Sequence, residues 1–313
     1  MPSQRFSPRR ARSRRHESAS RRRPSLCQAA ALGALQGPTE LLPVSSSAHT
    51  TLIPWLAGWS SYAELDPELR KSLEVALHAG AAAALAIDMR TELIEAARTL
   101  DRRRAGMVAL SLAPPALAGY ALQGPIERHL GGPRSITVGL IAGAAAMALA
   151  DLRPGRLRGR RAPDGRGVRD GSPARGGRRV QEAGPRDGLA LGLAQAMALI
   201  PGVSRSGATL TAARARGFAR ADAQALSWHA GLGVILGASA LQAWRMRRRG
   251  LPDEARPALA AGAGGAFVST LASAHVLRRP RVSSRSLLPY AVYRCTIVVV
   301  ALKHLRDAQN RSG

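Results

Sequence analysis

A stretch near the N-terminus recurs far downstream, and both copies interrupt an apolar run. Aligned without a gap, Leu32 pairs with Leu191, Gly33 with Gly192, Gln36 with Gln195, Val44 with Val203, Ser45 with Ser204, Ser47 with Ser206 and Thr50 with Thr209. A duplication is the simplest explanation. Each copy places Pro, Gly and a cluster of hydroxyls where an ordinary buried helix would break. Such breaks are expected to carry the chemistry.

The formal net charge of +26 over 313 residues would suggest a soluble nucleic-acid-binding protein. The charge, however, is segregated. Arginines crowd into 5–23, 98–104, 153–186, 245–249 and 278–285, and the runs between them are rich in Ala, Leu, Val, Ile and Gly. Apolar runs flanked by Arg mark membrane-spanning helices. Six are expected: Leu73 to Met89, Ala105 to Leu122, Ile136 to Ala150, Ala223 to Trp244, Ala258 to Leu277, and Leu287 to Leu302. Cys27 and Cys295 have neither metal-ligand spacing nor a disulfide framework.

Taken in order, residues 1–24 read as a disordered basic arm. Leu26 to Leu35 is too short to cross a bilayer, and Thr51 to Gly58 completes a helix-break-helix that fits a re-entrant hairpin. A polar loop, Ser60 to Lys71, precedes the first span, where Glu74 and His78 share one helix face. Residues 153–187, rich in Arg, Gly and Pro, read as a flexible linker. The second half repeats the plan, and Leu73 to Gly80 aligns with Leu226 to Gly233. Each half, 25–152 and 188–305, then holds one hairpin and three crossings, followed by a tail over 306–313. Three crossings reverse the orientation of the second half, so the expected fold is an all-α polytopic membrane protein with an inverted-topology repeat. The positive-inside rule puts the basic loops 98–104, 153–186 and 278–285 in the cytoplasm and both termini outside; the arm and the cluster 245–249 run against this orientation.

In the second motif Arg205 stands between Ser204 and Ser206, close to Gly202 and Gly207. A guanidinium fork suits phosphate oxygens, and glycines let backbone N–H groups approach an anion. The first motif supplies the complement. Glu40 can bind a divalent cation or act as a general base, Ser45, Ser46 and Ser47 are nucleophile or phosphate-ligand candidates, and His49 can shuttle a proton. Together they point to phosphoryl transfer. Arg294, deep in the last span, either reaches a lipid phosphate or pairs with Glu74.

On these residues the chain resembles the bacitracin-resistance type of undecaprenyl-diphosphatase, over about Leu26 to Leu305 apart from the linker. Gln36-Gly37-Pro38-Thr39-Glu40-Leu41-Leu42-Pro43-Val44-Ser45-Ser46-Ser47-Ala48-His49 is similar to that family's acidic motif, Pro201-Gly202-Val203-Ser204-Arg205-Ser206-Gly207-Ala208-Thr209 to its second, and Pro289-Tyr290-Ala291-Val292-Tyr293-Arg294 to its last helix. The resemblance implies a bacterial inner-membrane enzyme that removes the terminal phosphate of undecaprenyl diphosphate on the outer face and depends on Mg2+ or Ca2+. It implies Glu40 as metal or base carboxylate, Ser46 and His49 as nucleophile or proton-transfer candidates, and Arg205 as diphosphate clamp with Ser204, Ser206 and Thr209 beside it. Gln36 stands where many members carry Glu; its carbonyl can still reach a metal, but it cannot be a base. The lipid substrate and the membrane are the expected partners, a second copy of the chain is a candidate partner, and no nucleic acid is expected.

Two rivals remain at this stage. A lipid-phosphate or anion transporter shares the expected architecture. A lipid phosphatase with a Lys-to-Arg-Pro motif would need a lysine near its clamp, and the chain's two lysines, Lys71 and Lys303, lie in no such motif.

Overall fold

The computed structural model describes residues 25–152, 177–249, 253–277 and 286–312. The basic arm and linker residues 153–176 lie outside them. The described residues form twelve α-helices and no strand; one isolated bridge joins Arg178 to Phe218. Helices α1 (Leu26–Leu41) and α2 (Ser46–Leu56) form the first hairpin. They lead through α3 (Ser60–Ala63) to α4 (Pro67–Asp88), α5 (Arg90–Arg98), α6 (Arg102–Leu130) and α7 (Pro133–Leu152). In the second half, α8 (Pro185–Met197) and α9 (Arg205–Ala215) form a hairpin followed by α10 (Arg220–Arg249), α11 (Arg256–Leu277) and α12 (Leu288–Ser312).

All six expected spans are helical, and most run longer than their apolar stretches because polar residues cap or extend them. Asp66 accepts from the Glu68 N–H ahead of α4, which opens on Pro67, and Asp101 accepts from the Arg104 N–H ahead of α6. The expected polar loop 60–71 is therefore partly helical. Residues 177–187, assigned to the flexible linker, are also ordered, because Arg178 binds Asp187 and Arg103 donates to the Glu182 carbonyl. Residues 306–312 of the expected tail continue α12.

Among the described residues four stretches are long and apolar enough to cross a membrane: Arg102–Leu122, Pro133–Leu152, Asp253–Leu277 and Leu288–Asn310. Helices α4 and α5, bent by 66° where they meet, pass the same test as a pair. Helix α10 does not, since Gln224, Ser227, His229 and Gln242 dilute its apolar residues. The chain is a multi-pass membrane protein.

The hairpins interlock the halves. The first arm of each packs against the middle of the three long helices of the other half, α1 on α11 and α8 on α6. Glycine permits this: a Cβ on Gly33 would strike the backbone of Gly262 and Ala266, and one on the equivalent Gly192 would strike Leu110 and Pro114. In a bilayer such close approach, rather than water exclusion, holds helices together. The equivalent Leu32 and Leu191 are both buried. Polar side chains brace the helix backbone near its prolines. Ser269 of α11 accepts from the Gly37 N–H and donates to the Gly33 carbonyl beside Pro38, while Gln195 donates to the Ser111 carbonyl beside Pro114 and Pro115.

Two buried carboxylates tie the basic end. Asp151, closing α7, accepts from Arg220 Nε at 2.9 Å, from Ser286 Oγ and from the Leu287 N–H at 3.0 Å. Asp187 accepts from both terminal nitrogens of Arg178, from Arg216 Nε at 2.7 Å and from the Gly184 N–H at 3.0 Å.

Candidate active site

Each hairpin turns on a serine in the left-handed region. Ser45 has φ 76° and Ser204 φ 72°, and among the described residues no other non-glycine has positive φ. Such a conformation costs about 1–2 kcal/mol. It is retained because each hydroxyl caps the helix that follows: Ser45 Oγ accepts from the Ala48 N–H, and Ser204 Oγ from the Gly207 N–H. The Gly207 N–H is thus engaged in capping. Ser47 lies 3.2 Å from Ser45, and Ser206 3.3 Å from Ser204. Thr50 and Thr209 bond back to the carbonyls of the same turns, and Thr209 also shares a 2.6 Å bond with Ser227. The repeated Val-Ser-x-Ser spacing therefore builds the same turn twice.

The turns meet. Ser206 Oγ donates to the Leu42 carbonyl at 3.0 Å, tying the second break to the first. At this seam sits Glu40, buried near the end of α1. Its Oε1 accepts from Arg205 Nη2 at 3.0 Å, and its Oε2 accepts from Ser46 Oγ at 2.7 Å and from Gln36 Nε2 at 3.1 Å. His78 Nε2 of α4 lies 3.7 Å from Oε2. One carboxylate thus spans the clamp candidate and a nucleophile candidate, with Gln36 one turn before it in the same helix.

The other two candidates point elsewhere. His49 does not join the Glu40 cluster: its Nδ1 bonds the Ser45 carbonyl at 2.8 Å, and its Nε2 bonds the Tyr293 hydroxyl of α12 at 2.7 Å. Arg294 is fully buried, and its Nη2 donates to the carbonyls of Gly139, Gly202 and Val203. Among the described residues its Nε and Nη1 have no hydrogen-bond partner. Glu74 pairs with Lys71 at 3.3 Å, not with Arg294.

Tyr293 and Gly231 were not among the site residues expected from the sequence, and His78 entered only as an ionisable residue sharing a face of the first span with Glu74. The duplication held a signal for two of these three, because aligning Leu73 to Gly80 with Leu226 to Gly233 sets His78 opposite Gly231. In the structure His78 occupies the space beside Glu40, whereas Gly231 leaves space: a Cβ there would strike the Arg205 guanidinium.

Among the described residues no group of three His, Cys, Asp or Glu side chains could hold a metal ion. What the site offers a hard cation is the Glu40 carboxylate and the buried Oε1 of Gln36, which has no hydrogen-bond partner among the described residues. A magnesium-type ion bound by one or two protein oxygens and otherwise by phosphate and water suits that set; a site made wholly of protein ligands does not.

Residues 29–300 match the family model described as bacitracin resistance protein BacA. The undecaprenyl-diphosphatase of Geobacter sulfurreducens is 37% identical over 86% of this chain and 94% of its own length. That of Thermomicrobium roseum is 35% identical over 88% and 96%, and undecaprenyl-diphosphatase 2 of Mesorhizobium japonicum is 34% identical over 86% and 97%. The chain belongs to the bacitracin resistance protein BacA family.

Proposed function

We propose that this BacA-family membrane protein is an undecaprenyl-diphosphatase, which hydrolyses undecaprenyl diphosphate to undecaprenyl phosphate and inorganic phosphate. The relatives' activity and the matched motifs support this reading, and the observation that carries it is Glu40 bridging Arg205 and Ser46. By returning the carrier lipid to cell-wall synthesis, the reaction accounts for bacitracin resistance.

The geometry suits a base-assisted displacement. Ser46 Oγ, already donating to Glu40 Oε2, attacks the terminal phosphorus as its proton passes to that carboxylate. The new Oγ–P bond forms as the bridging P–O bond breaks, and its electron pair leaves with undecaprenyl phosphate. Arg205 neutralises the non-bridging oxygens. Water then hydrolyses the phosphoserine and releases phosphate. Mg2+ or Ca2+, held by Glu40 and Gln36 together with the diphosphate, would supply further charge neutralisation.

The reading includes an inverted repeat and an active site open to the outer face of the inner membrane. Supporting the repeat are the reciprocal packing of each hairpin on the other half and the twin turns at Ser45 and Ser204. Supporting the orientation, Arg103, Arg178, Arg214, Arg216 and Arg220 gather at the end where α6 and α8 begin and α9 ends, which the positive-inside rule makes cytoplasmic.

Purified protein in detergent, given undecaprenyl diphosphate and Mg2+, should release phosphate, and Glu40→Gln and Ser46→Ala should each lose the activity. No release from the unaltered protein would reject this function.

A further inference from the structure

We propose that Tyr293 is a positioning residue for the reaction: through His49 it fixes the turn that presents Ser46. The inference rests on the diphosphatase reading, in which Ser46 is the attacking group. A carbonyl can only accept, so the bond to Ser45 O puts the proton of a neutral His49 on Nδ1 and leaves the Nε2 lone pair for the Tyr293 O–H. The two ring planes lie 3° apart. The chain Tyr293 O–H to His49 Nε2, then His49 Nδ1–H to Ser45 O, ends at the peptide joining Ser45 to Ser46.

That peptide needs holding. Ser45 keeps its positive φ only under restraint, and its carbonyl also accepts the His49 N–H at 3.3 Å as the first turn of α2 forms. Release of the imidazole would let the turn relax and move Ser46 Oγ away from Glu40. The second turn is braced from the same helix. Arg294, the next residue after Tyr293, donates to Gly202 O and Val203 O just before the strained Ser204 and the clamp Arg205. Adjacent residues of α12 thus reach one motif each.

His49 is buried and Tyr293 is 42% exposed, and Tyr293→Phe removes a single hydroxyl, so the change does not open a core cavity. Partners that orient metal-binding histidines typically contribute about 10- to 100-fold, and a factor on that scale is expected for this orienting bond. Phosphate release by Tyr293→Phe should show kcat lowered by about that factor and KM within about twofold, with the thermal midpoint lowered by no more than the loss of one hydrogen bond to a buried imidazole. In a His49→Ala background the same change should cost nothing further. A kcat within about twofold of the unaltered protein, a loss carried by KM, or a loss that multiplies with that of His49→Ala would overturn the proposal. A second readout does not need turnover. In protein labelled with 15N-histidine, the resonance missing from His49→Ala should show a protonated Nδ1 and should shift at Nε2 in Tyr293→Phe. An unshifted Nε2 would overturn the contact itself, whereas absence of phosphate release from the unaltered protein would reject only the diphosphatase reading.

Discussion

Glu40 Oε1 and Arg205 Nη2 lie 3.0 Å apart although 165 positions separate the residues in the chain. The pair joins the two copies of the repeated motif at a buried seam. Leaving one partner of such a pair alone typically costs about 3–5 kcal/mol, so each residue constrains the other before substrate arrives.

The space that admits the Arg205 guanidinium is made by Gly231. In a helix interior, Ala is favoured over Gly by about 1 kcal/mol, yet here its Cβ would take the place of the guanidinium. Gly231→Ala should therefore fold without loss of helix while activity falls about 100-fold, the scale of a 1 Å misplacement. Circular dichroism and phosphate release measured on one sample check both halves of the expectation.

Substitutions at the two strained serines should separate cap from strain. Ser45→Ala and Ser204→Ala lose the cap and keep the strain, and each should lower stability by about 1–2 kcal/mol. Glycine at either position loses the cap but adopts positive φ without cost, so it should come within a few tenths of a kcal/mol of the native protein. Thermal midpoints in detergent order the variants.

Asp187 gives acid sensitivity. Burial alone would raise its pKa, but the hydrogen bonds from Arg178, Arg216 and the Gly184 N–H outweigh that effect and bring it down to about 2. A carboxyl with a folded pKa below its unfolded value stabilises the fold above the unfolded value and loses that contribution as pH falls through the folded one. The thermal midpoint should drop between about pH 4 and pH 2. Asp187→Asn should start lower by about 1–3 kcal/mol and lack this part of the fall.

Gln36 offers one carbonyl oxygen where a carboxylate would add charge. Gln36→Glu should reduce the Mg2+ concentration giving half-maximal phosphate release several-fold, because affinity for hard cations rises with ligand charge. Without added metal, with EDTA present, the same variant should be less stable than the native protein, since two carboxylates one helical turn apart then repel. Metal titration and thermal scans test the two signs.

Much of this arrangement was legible in the chain because the duplication is itself a structural statement. The matched Val-Ser-x-Ser spacing announced two like turns, and the apolar runs announced the long helices. The meeting of Glu40 with Arg205 followed once the two motifs read as complementary parts of one phosphoryl-transfer site. Partners across the fold were harder to see. Nothing local to His49 shows that Tyr293 receives its ring, and Arg294 looked like a ligand for phosphate or Glu74 because its true acceptors are main-chain carbonyls, which leave no trace in side-chain identity. Helix boundaries also drifted, as at 177–187, where ion pairs to Asp187 order a segment whose composition reads as linker.

The central claim is that Glu40 and Arg205 act as one unit on one diphosphate, and a double-mutant cycle on phosphate release tests it most directly. Glu40→Gln, Arg205→Lys and the double variant are compared with the unaltered protein using undecaprenyl diphosphate and Mg2+. If the two residues share a pocket, the double variant should be scarcely worse than the poorer single one, giving a coupling of about 1–3 kcal/mol. Losses that simply multiply, or single variants that keep full turnover, would contradict it.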